Sequence, residues 1–194
     1  MPSWRLALVI ACVCASRSVA EEPRRILDFG APDAARRWQA VNDGVMGGVS
    51  EGRFRITDAG AMEFSGRLSL ENNGGFASVR SRGGDLGLKR GDRLVIRTKG
   101  DGREYVVNLY TRTGRMAFSY RAALPTVDGQ WAETTIALED FIPTSFGRRV
   151  GGMGAVDPAE ITGVGFMLSD KRPGPFRLEI ESIEVLSAAP AAGR

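Results

Sequence analysis

The 194-residue sequence contains no histidine. That absence removes the commonest general base, the Ser-His-Asp arrangement and every imidazole metal site. Its two cysteines, Cys12 and Cys14, both lie in the first twenty residues. The remainder has no thiol nucleophile, no thiolate ligand and no disulfide, so it must be held by its core alone, which a domain of this length can manage. Aromatic residues make up only 8%, and a platform for stacking on sugar rings is not apparent. Trp38, Tyr110, Tyr120 and Trp131 are the rings to consider, and most of them fit core positions. Hydrolysis by paired carboxylates survives as an option. Asp43, Asp101, Asp140 and Asp170 are its candidates, but sequence spacing does not show that any two converge, and acids in turns commonly cap the backbone. The expectation is a protein without catalytic residues, metal or cofactor.

No large excess of charge is present either. Lys and Arg number 26 against 23 acids. Residues 1–20 begin with a short basic start, continue with an apolar run over 6–15, and end in Ser18-Val19-Ala20 before Glu21-Glu22. This is the pattern of a secretory signal peptide, too short to span a membrane stably. Its removal takes away Arg5 and Arg17, leaving 24 basic residues against 23 acidic ones. No nucleic-acid partner is expected, and membrane association is expected to be peripheral only, because both roles need a concentrated positive field. The expected location is exported, periplasmic or extracellular. One alternative is a lipoprotein start at Cys12. Another is organelle targeting to mitochondria, because the segment is free of acids and carries Arg5, Arg17 and three serines.

What is there in quantity is glycine, 25 residues without collagen-like period, set between short alternating segments. Strands are expected over 24–29, 54–56, 61–68, 75–81, 93–99, 103–111, 116–123, 131–138, 161–169 and 176–186. Tyr105, Val107 and Leu109 alternate with Val106, Asn108 and Tyr110, which implies one buried face. Gly100-Asp101-Gly102 reads as a hairpin turn between 93–99 and 103–111. A second hairpin is expected at Thr113-Gly114, with Met116, Phe118 and Tyr120 on one face. Helical periodicity occurs only over 31–41. These features predict an all-β fold, an antiparallel β-sandwich of jelly-roll type. The domain is expected over 21–187, with a disordered tail over 188–194. Glycine clusters at 42–48 and 147–154 lack the strand, helix and lysine context of nucleotide loops.

Three stretches combine amides or carboxylates, glycine and an apolar anchor, at 38–50, 72–80 and 169–176. Such loops serve as ligand surfaces or as Asx-turns that tie the chain down, and both readings stand. They also carry a family resemblance. Trp38 with Val41-Asn42-Asp43-Gly44-Val45-Met46-Gly47-Gly48-Val49-Ser50, and Asn72-Asn73-Gly74-Gly75-Phe76-Ala77-Ser78-Val79-Arg80, resemble the signature of the complex I intermediate-associated protein 30 family. Further matches follow at Lys99-Gly100-Asp101-Gly102 with Tyr105, at Asp140-Phe141-Ile142-Pro143-Thr144, and at Gly165-Phe166-Met167-Leu168-Ser169-Asp170. The resemblance covers about residues 26–186. It implies a galactose-binding-like sandwich and a chaperone-like assembly factor for a membrane-associated respiratory complex, NADH dehydrogenase. The partner would be a protein, a subunit or assembly intermediate of that complex. The alternative is an exported carbohydrate-binding module with a carbohydrate ligand. Candidate binding residues are Asn42, Asp43, Met46, Ser50, Asn73, Phe76, Asp101, Tyr105, Ser169 and Asp170. Asn42, Asp43, Met46, Asn73, Phe76 and Asp170 are expected to gather at one end of the sandwich.

Overall fold

A computed structural model describes residues 22–112 and 117–188. The expected signal segment, the turn at Thr113-Gly114, Met116 and all of the tail except Ala188 lie outside the described residues. Among the described residues every regular element is a strand or a short 3-10 turn. The strands are β1 (Arg24–Leu27), β2 (Trp38–Ala40), β3 (Glu51–Ile56), β4 (Met62–Leu68), β5 (Ala77–Ser81), β6 (Arg93–Lys99), β7 (Glu104–Thr111), β8 (Phe118–Pro125), β9 (Trp131–Ala137), β10 (Ile142–Ser145), β11 (Arg148–Arg149), β12 (Ile161–Leu168) and β13 (Gly174–Leu186).

They form two antiparallel sheets. The six-stranded sheet runs β3-β4-β13-β6-β9, with β1 also on β13, and the seven-stranded sheet runs β11-β10-β8-β7-β12-β5-β2. One edge of the 13-residue β13 pairs with β4 and then β1, and its other edge pairs with β6. The period-two pattern turns one face of each sheet inward. From the seven-stranded sheet Trp38, Val79, Tyr105, Val107, Leu109, Leu124 and Phe166 point to the core. Met62, Phe64, Leu94, Ile96, Leu178, Ile180 and Ile183 answer from the six-stranded one. Phe176 links the layers, its ring 4.9 Å from Phe64 and 6.5 Å from Tyr105 in edge-on contacts. Each large apolar side chain buried in this way contributes roughly 1.5–3 kcal/mol, so a continuous core stands in for the missing disulfides.

Two sequence expectations change, and one hairpin is added. Gly100-Asp101-Gly102 does not close a hairpin, because β6 and β7 lie in different sheets. Both strands alternate as a hairpin would, but the turn crosses between layers. A side-chain carbon on Gly100 would lie 2.5 Å from Thr126 Cβ, so the close approach demands glycine. The helical pattern over 31–41 gives one 3-10 turn, Ala34–Arg37, followed by β2. Trp38 explains why: its buried ring stacks between Phe29 and Phe166, and the chain extends to pair with β5. The β10–β11 hairpin was not foreseen. Its Phe146-Gly147 turn has positive φ at both residues, 47° and 75°, and phenylalanine gives no signal for such a turn.

Candidate functional site

Cross-strand registers place the polar loops at one end of the sandwich. Ala77, Leu168 and Tyr105 are successive partners across the seven-stranded sheet, and Leu68 partners Gly174 across the other. Loops 41–50, 69–76, 100–103 and 169–173 therefore emerge together. Two hydrogen-bonded knots organise them.

The first is built on Asp43, which is fully buried. Its Oδ1 accepts from Ser50 N at 2.9 Å. Its Oδ2 accepts from Ser50 Oγ at 2.6 Å, Gly75 N at 2.6 Å and Phe76 N at 3.2 Å. Ser50 Oγ accepts in turn from Ser69 N at 3.0 Å. A side-chain carbon on Gly74 would sit 2.6 Å from Asp43 Oδ2, so only glycine lets the loop wrap the carboxylate. Asn42 adds a bond from its Nδ2 to Gly52 O at 3.0 Å and accepts from Ser78 N at 3.4 Å. Burial works to raise the Asp43 pKa. The hydrogen bonds from Ser50, Gly75 and Phe76 outweigh it and hold the carboxyl below its ordinary value.

The second knot joins Arg103 to Asp170. Nε donates to Oδ2 at 3.0 Å and Nη2 to Oδ1 at 2.6 Å, a bidentate pair whose side chains are only 6% and 11% exposed. Arg103 also donates to the carbonyls of Pro175, at 3.0 Å, and Arg172. Asp101 accepts from the Tyr105 hydroxyl at 3.1 Å and from Arg177 N at 2.9 Å. Burial, then the Asp101 charge, push the Tyr105 hydroxyl up, so it stays a protonated donor. Burial raises the Asp170 carboxyl, but the Arg103 hydrogen bonds prevail and lower it.

The structure thus brings Asn42, Asp43, Ser50 and Phe76 into one knot, and Asp101, Tyr105 and Asp170 into another at the same end. Asp43, Ser50 and Tyr105 are buried, and their hydrogen bonds tie the loops together. Met46 and Asn73 instead face solvent. Met46 belongs to an apolar rim with Val45, Val49 and Leu70, at 53%, 74%, 47% and 42% exposure. Ser169 lines a separate depression of about 390 Å³ on the outward face of the seven-stranded sheet, with Val106, Arg121, Ala123, Ile142 and Arg149. Sequence reasoning missed Arg103, Arg80 and Arg121. All three occur in strand-like stretches where arginine reads as an ordinary solvent-facing residue.

These features define the class of fold, an all-β sandwich of two antiparallel sheets with its polar loops gathered at one end. Solved structures share the architecture, among them the following two. The family 11 carbohydrate-binding module of the cellulase Lic26A-Cel5E of Clostridium thermocellum is 15% identical, with a TM-score of 0.61, over 89% of this chain and 98% of that one. The agarase AgWH50C is 10% identical, with a TM-score of 0.62, over 87% of this chain and 25% of that one. The chain belongs to the complex I intermediate-associated protein 30 family, whose model matches residues 27–180. Among curated relatives, the mitochondrial complex I intermediate-associated protein 30 of Drosophila melanogaster is 29% identical over 181 residues, 81% of this chain and 61% of that protein. Its Mus musculus counterpart is 28% identical over 195 residues, 87% of this chain and 58% of that protein. The chain therefore spans about three fifths of the length of these relatives.

Proposed function

We propose that this chain is a non-catalytic assembly factor for a membrane-associated respiratory complex, the NADH dehydrogenase of complex I. The family match over residues 27–180 carries the reading. The site is compatible with it. The buried knots give a rigid loop frame, and the frame displays an apolar rim at Val45, Met46, Val49 and Leu70 of the type that protein partners cover. The relatives named as mitochondrial favour organelle targeting for residues 1–20 and give no support to export. The test is removal of the chain from cells that express it, followed by native electrophoresis of respiratory complexes. Accumulated complex I subassemblies, cleared when the chain is restored, support the proposal. Unchanged complex I in the depleted cells overturns it.

The carbohydrate reading has the fold on its side and little else. Arg80 lies over the Tyr110 ring at 4.9 Å, and Arg97 and Lys99 lie against Trp131 at 5.6 and 5.2 Å. Both rings thus already have cations for neighbours.

A further inference from the structure

The outward face of the seven-stranded sheet holds a group of polar side chains that the loop knots do not use. Register places Asn108 opposite Arg121 on β8 and opposite Gly165 on β12, and Gly165 opposite Arg80 on β5. Tyr110 is next in the outward row of β7. It lies against Gly165, where a side-chain carbon would come within 3.2 Å of its hydroxyl oxygen. Glycine at this position leaves room for the phenol and the two arginines beside it.

This group is rich in donors and poor in acceptors. Asn108 is completely buried; its Oδ1 accepts from Ser119 Oγ at 3.0 Å, while its Nδ2 has no partner. Arg80 Nε and Tyr110 Oη are likewise buried and unpartnered. Arg80 is near enough to the phenol to oppose the upward push of burial on its pKa, but no hydrogen bond of sound geometry joins the two. Arg121 spends one donor on Ser119 Oγ at 3.2 Å. Among the described residues neither Arg80 nor Arg121 takes part in an ion pair. Buried donors normally find partners, and buried cations normally find counter-ions. Here two half-buried guanidinium groups flank one phenol without a counter-ion among the described residues. Burial, and then the neighbouring Arg80 charge, depress Arg121.

The depression beside Arg121 adds the second half of a recognition surface. Val106, Ala123 and Ile142 supply apolar floor, and Arg149 supplies another cation. Ile142 is 43% exposed, and Phe146 at the adjoining hairpin tip is 62% exposed. Between the strand ends the outward rows of β5, β12, β7, β8 and β10 contain no carboxylate; Glu104 stands at the rim.

We propose that this face is a docking site for an acidic segment of a protein partner, with side-chain carboxylates read by Arg80 and Arg121, and apolar flanks resting on Val106 and Ile142. The inference rests on the protein-binding reading above. Planar guanidinium forks match carboxylates in bidentate geometry, and a protein segment brings charge and apolar surface at fixed spacing. A neutral sugar would leave both cations uncompensated, and inorganic phosphate would make no use of the apolar floor.

The probe is a fluorescein-labelled peptide of three glutamates interleaved with leucine and phenylalanine, read by anisotropy against the full chain. Binding is expected to weaken tenfold or more with Arg121→Gln or Arg80→Gln, to vanish when the glutamates become glutamines, and to stay unchanged with Arg97→Gln on the opposite sheet. Thermal melts separate recognition from folding. Relief of like-charge crowding should leave Arg121→Gln at least as stable as the parent, whereas a structural arginine would lower the melting temperature. Equal binding of the glutamine peptide overturns the proposal. So does displacement of the peptide by inorganic phosphate at the peptide's own concentration, or Arg121-dependent capture of anionic phosphatidylserine vesicles in preference to the peptide. Complementation then separates the two readings. An Arg121→Gln chain that loses the peptide yet restores complex I assembly removes this face as the partner site and leaves the assembly role standing. A parent chain that binds the peptide but restores nothing supports the face and overturns the assembly role.

Discussion

The outward faces of the two sheets treat charge in opposite ways. On the six-stranded sheet several cations are answered. Glu63 holds Arg55 at 2.8 Å and Arg177 at 2.7 Å, Glu179 holds Lys99 at 3.1 Å, and Glu181 pairs with Arg97. These acids and bases stand on neighbouring strands, where cross-strand pairs of opposite sign are mildly stabilising. On the seven-stranded sheet Arg80 and Arg121 have no such partners. The first pattern completes itself within the fold, and the second has no counter-ion among the described residues. The buried Arg103–Asp170 pair is the extreme of the first kind, and unmatched Arg121 is the extreme of the second.

Four measurements sharpen or break this contrast. The largest effect belongs to Arg103→Ala, which strands a nearly buried Asp170. A loss of about 3–5 kcal/mol in urea unfolding is expected, and a loss no greater than that of a surface change would show that the knot does not hold the loops. Next is Asp43→Asn, which keeps one side-chain oxygen and, where Oδ2 is the one lost, removes the acceptor that Ser50 Oγ, Gly75 N and Phe76 N share. A loss of about 1–3 kcal/mol is expected, with faster amide exchange at Gly75 and Phe76.

Acid should then expose the same carboxylates collectively. Asp43, Asp170 and Glu63 all have pKa values lowered in the folded state, from ordinary values of 3.8, 3.8 and 4.5. For Glu63 the hydrogen bond from Arg55 leads, burial opposes it, and the Arg177 charge adds to the lowering. Groups of this kind contribute their stability fully above the unfolded pKa and lose it as pH falls through the folded one. Stability should therefore be flat from neutral pH to about 5 and decline below about pH 4.5. A melting temperature that held steady from pH 5 to pH 2 would contradict the pairing. The smallest effect is that of Met46→Ser on the exposed rim, within about 0.5 kcal/mol of the parent. Its consequence should be read in partner capture and not in stability.

The sandwich was legible because its signal is local. Tyr105, Val107 and Leu109 declare a buried face within one strand, and Thr113-Gly114 stands between two strands that do pair. Sheet membership was not legible. Gly100-Asp101-Gly102 has hairpin composition, and only the distant claims of β13 on β6 and β12 on β7 decide that the chain crosses layers there. β2, β10 and β11 escaped because two to four residues are too few to show a period. The 42–50 loop could be recognised as over-specified. Whether Asp43 faces a ligand or the backbone of Gly75, thirty-two residues away in sequence, is a tertiary fact. The arginine face escaped for a similar reason. Arg80, Asn108 and Arg121 each occupy the polar phase of an alternating strand, and only the registers reveal that they share a neighbourhood.

β13 has a further consequence for how the molecule comes into being. It is the common partner of β1, β4 and β6, so three strands made earlier wait for residues 174–186 before the six-stranded sheet exists. Loop closures between β1 and β13 span nearly the whole domain, and such long-range pairings form slowly. A ribosome or a membrane pore delivering the chain from its amino end would hold β1 without a partner, and β3–β4 and β6–β9 as separate pairs, until β13 emerged. The domain is in that sense locked by its last strand, and stays threadable until that strand arrives.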